Sequence, residues 1–327
     1  MRVSACALLH EIKRLNEMSV SGWRTRITGL IPASIMLTIA GVIGGSTGAW
    51  AGPITFNTAI VLAKDEFVVR EQYVLNRSGD DPSGTDRDRT SQQLISVLGY
   101  AFTSDFMLFG VLPYIDNDLD ITVLGTRQNR STNGIGDLRL FGRYTVFRRN
   151  WPGGTLRIAP FAGVEMPTGK DDEQDSLGRL PPNVQVGSGS WDPFGGIALT
   201  YQLLDFEVDA ALSYRENTEA NDFEFGDVTR LDASLQYRLW PRELKGGVPG
   251  FLYGVIETNL IFRGKNRVGS IKNPNSGGTT LFLAPGLQYV TRRWVFETAV
   301  QLPVVQDLNG TALENDYIVR GGFRFNF

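Results

Sequence analysis

Phe206-Glu207-Val208-Asp209-Ala210-Ala211-Leu212-Ser213-Tyr214-Arg215 alternates in side-chain character along its whole length. Phe206, Val208, Ala210, Leu212 and Tyr214 share one face, and Glu207, Asp209, Ala211, Ser213 and Arg215 share the other. A period of two marks a β-strand with one apolar and one polar surface. The next segment repeats it, with Leu231, Ala233, Leu235, Tyr237 and Leu239 set against Arg230, Asp232, Ser234, Gln236 and Arg238. Upstream, Leu138, Leu140, Gly142, Tyr144 and Val146 oppose Asp137, Arg139, Arg143 and Thr145.

Extended in both directions, the pattern predicts strands at about 65–76, 89–102, 106–116, 134–147, 155–167, 190–203, 205–215, 227–240, 251–262, 279–290, 293–303 and 316–327. Each is about long enough to cross a hydrocarbon layer when tilted. The first is irregular. Its apolar face (Phe67, Val69, Tyr73, Leu75) carries Glu71, which a bulge would have to turn inward.

Connections alternate in length. Tight turns at 103–105, 204–205 and 291–292, and somewhat longer ones at 148–154 and 241–250, interleave with polar loops at 77–88, 117–133, 168–189, 216–226, 263–278 and 304–315. Short turns on one side and long loops on the other, with an even strand number, characterise outer-membrane barrels. The expected fold is therefore all-β: a transmembrane antiparallel up-and-down β-barrel of the outer-membrane type, of about 12 strands, over 64–327. Only a closed barrel pairs every backbone group of a strand in lipid. Apolar side chains then face outward and polar ones line a lumen, with Trp191, Tyr201, Trp240, Tyr289 and Trp294 as interface candidates.

The N-terminus reads as an address. Arg24 and Arg26 precede an apolar stretch from Ile27 to Gly45, and Ala49-Trp50-Ala51 supplies a signal-peptidase site. Residues 1–51 are read as an N-terminal extension and cleaved signal peptide, with translation starting at Met1 or Met18. A transmembrane helix is the competing reading, weakened by Pro32, Ser34 and Thr38. Residues 52–63 form a short lead-in or a small plug folded into the lumen. Removing the leader takes five Lys/Arg and two Asp/Glu from a net charge of −3, leaving −6. Nucleic acid is not an expected partner.

The only Cys (Cys6) and the only His (His10) both lie in the leader. A mature chain without them excludes thiolate and imidazole metal sites and every nucleophilic scheme built on His. No catalytic residue, metal or cofactor is expected, and the chain does not read as an enzyme. Asp80, Asp81, Asp86 and Asp88 in one loop, and Asp171, Asp172, Glu173 and Asp175 in another, lack the spacing of a Ca²⁺ loop and read as solvated acidic loops.

Four motifs carry a family resemblance. They are Leu108-Phe109-Gly110-Val111-Leu112-Pro113-Tyr114, Gly134-Ile135-Gly136-Asp137-Leu138-Arg139-Leu140, Met166-Pro167-Thr168-Gly169-Lys170 and Gln185-Val186-Gly187-Ser188-Gly189-Ser190-Trp191-Asp192-Pro193-Phe194. With the aromatic last strand ending in Phe327, the chain resembles the family of outer-membrane proteins named for the meta-cleavage pathway of phenol degradation. The resemblance implies a transporter-like barrel in the Gram-negative outer membrane, linked to aromatic or poorly soluble compounds. The aromatic last strand also resembles the signal read by the barrel-assembly machinery. Expected partners are that machinery, outer-membrane lipids and lipopolysaccharide, and a small-molecule substrate.

The predicted lumen carries both charges: Arg139, Arg143, Arg157, Arg215, Arg230, Arg238, Arg320 and Arg324, with Asp137, Glu165, Glu207, Asp209, Asp232, Glu257 and Glu297. A charged pore and a cross-strand ion-pair network filling the barrel are both open readings. Phe141, Phe161, Phe194 and Phe282 fall on the same inner face and form a candidate apolar patch. The expected function is an outer-membrane channel or transporter for small molecules. A non-conducting structural or surface-interaction barrel is the alternative.

Overall fold

A computed structural model describes residues 50–243 and 250–327. The predicted leader, its start codon and most of the leader–barrel junction lie outside these residues, as does most of the turn expected at 241–250. Among the described residues no helix is long and apolar enough to cross a membrane.

Twelve antiparallel strands close into a barrel. They are β1 (Phe67–Ser78), β2 (Asp88–Ala101), β3 (Phe106–Val123), β4 (Leu138–Tyr144), β5 (Gly154–Met166), β6 (Asp192–Leu203), β7 (Phe206–Arg215), β8 (Val228–Trp240), β9 (Phe251–Arg263), β10 (Gly278–Val290), β11 (Trp294–Leu308) and β12 (Tyr317–Asn326). Each pairs with its sequence neighbours, and β12 returns to β1 in an unbroken register from Val68 opposite Asn326 to Arg77 opposite Tyr317. Closure leaves no sheet edge for lipid to face.

The pleat sorts side chains as the alternation demands. Leu94, Leu98, Ile197, Leu212, Leu231, Leu235 and Ile256 are exposed on the outside, while Gln72, Glu207, Asp209, Gln236, Glu257, Asn259, Gln288 and Gln301 are buried. Burial of polar groups under an apolar exterior inverts the soluble arrangement and is what lipid requires. Rings at the short-turn end form a continuous belt across the closing seam: Trp294 meets Phe325 at 4.3 Å, and Phe327 meets Phe67 at 5.5 Å between centroids. Such a belt sits at the membrane–water boundary.

Three elements depart from the expected layout. The loop expected at 117–133 is instead a hairpin: β3 runs on to Val123, turns at Leu124-Gly125, and returns as a strand over Thr126–Ile135. Its returning strand is largely polar on both faces, so it lacks the alternation that marks a membrane strand, yet backbone pairing outside lipid needs none. The fourth strand, expected over 134–147, is split. β4 covers only Leu138–Tyr144, and a second short strand, Phe147–Trp151, folds back on the start of β5.

Glu71 is the third departure. β1 pairs without interruption on both sides, so no bulge turns this carboxylate inward. It stays on the outward face, where Ser96 Oγ of β2 donates to it at 2.8 Å. A neighbouring hydroxyl, not a backbone irregularity, accommodates the polar group.

Candidate functional site

The polar interior is occupied. Residues 51–62 enter at the short-turn end, where Ala51 packs on Val290 and Val295, and rise to the middle of the barrel at Ile54. They cross to β6 at Ala59 and descend along β3, where Val61 and Leu62 join Met107, Phe109 and Phe141. Residues 51–62 thus lie inside the barrel as a plug bound by its interior side chains.

The plug has no regular structure, so its backbone groups must find partners elsewhere. Interior side chains supply them. Glu257 of β9 accepts from Ile54 N at 2.6 Å, Thr55 N at 3.0 Å and Thr55 Oγ1 at 2.5 Å. Arg70 of β1 donates to Ile54 O at 2.6 Å and binds Glu297 of β11 at 2.5 Å. Thr200 Oγ1 of β6 accepts from Ala59 N at 2.8 Å. Arg143 of β4 reaches Thr58 O at 2.5 Å and Ile60 O at 2.6 Å, and its guanidinium lies 4.9 Å over the Phe109 ring. Gln288 of β10 both donates to Gly52 O and accepts from Gly52 N, while Arg324 of β12 donates to Trp50 O.

Small residues make room for this. Ala59 sits fully buried between Ala159 and Ala198. Gly286 faces Ile54, and a Cβ there would lie 2.8 Å from Ile54 Cδ1 and 2.7 Å from Thr298 O.

The interior residues expected from sequence fall into two zones. Around the plug lie Arg143, Arg157, Glu207, Asp209, Arg238 and Arg324. Glu207 and Asp209 are buried side by side, with Glu207 Oε2 accepting from Gln202 Nε2 at 2.5 Å and Asp209 accepting from Thr200 Oγ1. Arg157 reaches Val61 O at 3.4 Å, and Arg238 binds Asp205 at the short-turn end. In the outer half lie Arg139, Glu165, Arg215, Arg230, Asp232 and Arg320. Glu165 is shared by Arg139 and Arg215, Asp232 binds Arg230 at 3.0 Å, and Arg320 binds Gln301 and Gln72 at 2.6 and 2.9 Å.

The apolar patch is only partly as expected. Phe141 stacks on Phe109 at 4.7 Å and meets Phe161 and Phe194 at 6.3 and 6.0 Å. Phe282 is buried apart from them, on β10. Phe109 takes its place; it sits in an apolar run whose two faces look alike in sequence.

Asp137 is not a lumen group. It accepts from Gly169 N at 2.9 Å, and from Ser188 N and Oγ at 2.7 and 2.9 Å. Three of the four sequence motifs thus converge on one carboxylate. Gly136, Gly169 and Gly187 meet there so closely that a Cβ on Gly169 would lie 2.9 Å from Gly187 Cα. This knot folds loop 168–189 onto the outer rim, where Leu180 and Val184 bury against Leu119. Burial raises the Asp137 pKa above its ordinary value, against the hydrogen bonds it accepts.

Most of the loop acids are engaged by cations: Asp81 binds Arg87 at 2.5 Å, Asp175 binds Arg130 at 2.8 Å, and Glu173 binds Lys170 at 2.8 Å. Among the described residues no group of three His, Cys, Asp or Glu side chains is placed to hold a metal ion.

Residues 76–303 match the family model described as "Putative MetA-pathway of phenol degradation". The chain belongs to this family. The fold of this phenol-degradation family member is similar to that of an outer membrane channel from Pseudomonas putida F1, with a TM-score of 0.65 at 14% identity over 85% of this chain and 100% of that one. The β domain of the Bordetella autotransporter BrkA gives a TM-score of 0.45 at 12% identity, over 81% and 100% of the two chains. The NanC porin gives 0.39 at 13% identity, over 79% and 98%. No curated protein matches the chain in sequence.

Proposed function

We propose that this barrel is an outer-membrane channel for small molecules, with residues 51–62 as a removable obstruction at its short-turn end. The observation that carries the reading is how the plug is held. Its backbone is bound by side chains of separate strands, with no covalent tie except at its own end, and its buried apolar side chains are divided among four small clusters with the barrel wall. Hydrogen bonds to interior side chains can be exchanged for water, so release of the segment costs chiefly the separation of these small apolar contacts. The fold shared with a channel supports the same reading.

Aromatic or other poorly soluble compounds are the substrate class we favour, because Phe109, Phe141, Phe161 and Phe194 give one wall of the lumen an apolar surface. The protein resides in the Gram-negative outer membrane after export through the periplasm, in contact with lipopolysaccharide at its long-loop end. The strand ending in Phe323, Phe325 and Phe327 is presented to the assembly machinery.

Single-channel recording of the folded protein in planar bilayers tests this. Stepwise conductance is expected, rising when the plug is weakened. A silent bilayer, from protein shown to be folded and from plug variants alike, would leave the non-conducting structural barrel in its place.

A further inference from the structure

Arg263 ends β9 on the inward face, at the long-loop end. Among the described residues its side chain makes no hydrogen bond and no ion pair. Its surroundings are cationic. Arg215 of β7, Arg230 of β8 and Arg89 of β2 all lie within electrostatic reach of it. Arg215 and Arg263 share Val228 as register partner, from opposite sides of β8.

Compensation is incomplete. Among the described residues the outer half turns six arginines inward (Arg89, Arg139, Arg215, Arg230, Arg263, Arg320) but only the acids Glu165, Asp192 and Asp232. Asp192 is committed to Thr218 N at 2.8 Å, and Asp232 also accepts from Asn259 Nδ2 at 2.8 Å. Arg89 reaches only Asn117, at 3.3 Å, and the Nε atoms of Arg89 and Arg230 are buried with no partner. Unpaired buried donors of a cation are costly, so a site left this way is poised for an anion. Low-dielectric walls concentrate the field of such a cluster along the lumen axis.

The same zone borders the aromatic wall. Phe194 is the register partner of Arg215, and Phe141 stands two residues below Arg139 on one face. We infer that the outer lumen binds an apolar monocarboxylate, its carboxylate held by Arg263 with Arg230 and Arg215, and its hydrocarbon part laid on Phe194 and Phe141. The inference rests on the channel reading for its purpose, but binding itself does not require conduction.

Isothermal titration of the folded full-length protein in detergent micelles tests it, with benzoate, acetate and benzyl alcohol as probes. Benzoate is expected to bind, and acetate and benzyl alcohol at least about tenfold more weakly, since each lacks one half of the ligand. R263Q should weaken benzoate about tenfold or more, R263K should retain part of the affinity, and F194A should erase the preference for benzoate over acetate. Heat-modifiable migration on gels verifies that each variant is folded. Equal benzoate binding by wild type and R263Q, or benzyl alcohol binding as well as benzoate, would overturn the site. Benzoate binding by a protein silent in bilayers would sink the channel and leave the site standing; conductance without benzoate binding would do the reverse.

Discussion

Glu257 and Ile54 are joined by a 2.6 Å hydrogen bond from the plug's backbone N–H to a barrel carboxylate. Glu257 also holds Thr55 by N and Oγ1 and accepts from Ser234 Oγ at 3.2 Å, so one side chain anchors the highest point of the obstruction. Charge-assisted bonds of this kind contribute roughly 1.5–3 kcal/mol each. One carboxylate therefore carries a large share of the bonds that position the plug.

Replacing that anchor should open the channel. E257A leaves three plug donors without their acceptor, and a net loss of roughly 2–3 kcal/mol raises the released population about 30- to 150-fold. Open-channel probability in planar bilayers should climb accordingly while the barrel's thermal transition moves little. Unchanged gating in a folded E257A protein would mean that the plug is held elsewhere or never moves.

Gly286 offers a second route from a different strand. G286A places a Cβ 2.8 Å from Ile54 Cδ1 and 2.7 Å from the Thr298 carbonyl. The Ile54 side chain can yield whereas the Thr298 carbonyl moves only with its strand, so Ile54 is pushed out of its seat and the β10–β11 pairing is strained locally. Because Cys6 is the only cysteine, a T58C reporter can be read alone once Cys6 is removed as C6S. Thiol labelling of T58C should run at least about tenfold faster in the G286A background; equal rates would show that the seat tolerates the methyl.

The outward carboxylate of Glu71 should be dispensable. Its one side-chain partner is Ser96 Oγ, and an acid facing lipid is a cost that an apolar residue removes. E71L is expected to raise the urea midpoint of unfolding, by an equivalent of about 1–2 kcal/mol. A lower midpoint would assign Glu71 a role beyond tolerance, since the Ser96 bond alone is worth less than that.

Loop chemistry predicts a pH response at the outer rim. Burial acts to raise the Asp81 pKa, but bonds from the Arg87 side chain and from the N–H groups of Arg87 and Ser83 outweigh it and hold the carboxyl well below its ordinary 3.8. A depressed acid contributes stability that is complete above its unfolded value and is lost as pH falls toward the folded one. Hydrogen exchange over 79–88 should therefore stay slow down to about pH 4 and quicken below it. R87Q, which removes the dominant side-chain partner, should shift that loosening toward higher pH. Protection independent of pH in both proteins would show that the Asp81 contacts do not order the loop.

The order of strands was legible wherever one face had to meet lipid. Alternation in β7 and β8 is sharp because each outward residue pays a transfer cost if polar, and each inward one if apolar. The hairpin continuing β3 over Thr126–Ile135 was not legible, because outside the membrane no such penalty sorts its faces. Phe109 was missed for a related reason: in Leu108-Phe109-Gly110-Val111 both faces are apolar, so periodicity cannot say which turns inward.

Residue types alone determined the inside-out barrel, its strand number and the inward placement of Glu207, Asp209, Asp232 and Arg238, since a two-residue repeat assigns every side chain to lipid or lumen. Whether that lumen stood open or filled was decided only in three dimensions. Residues 51–62 have no period of their own, and their partners Arg70, Arg143, Thr200, Glu257 and Gln288 come from five strands up to 236 residues away. The imbalance that leaves Arg263 unpaired is likewise tertiary, because a charge is neutralised by what lies across the barrel and not by what lies beside it in the chain.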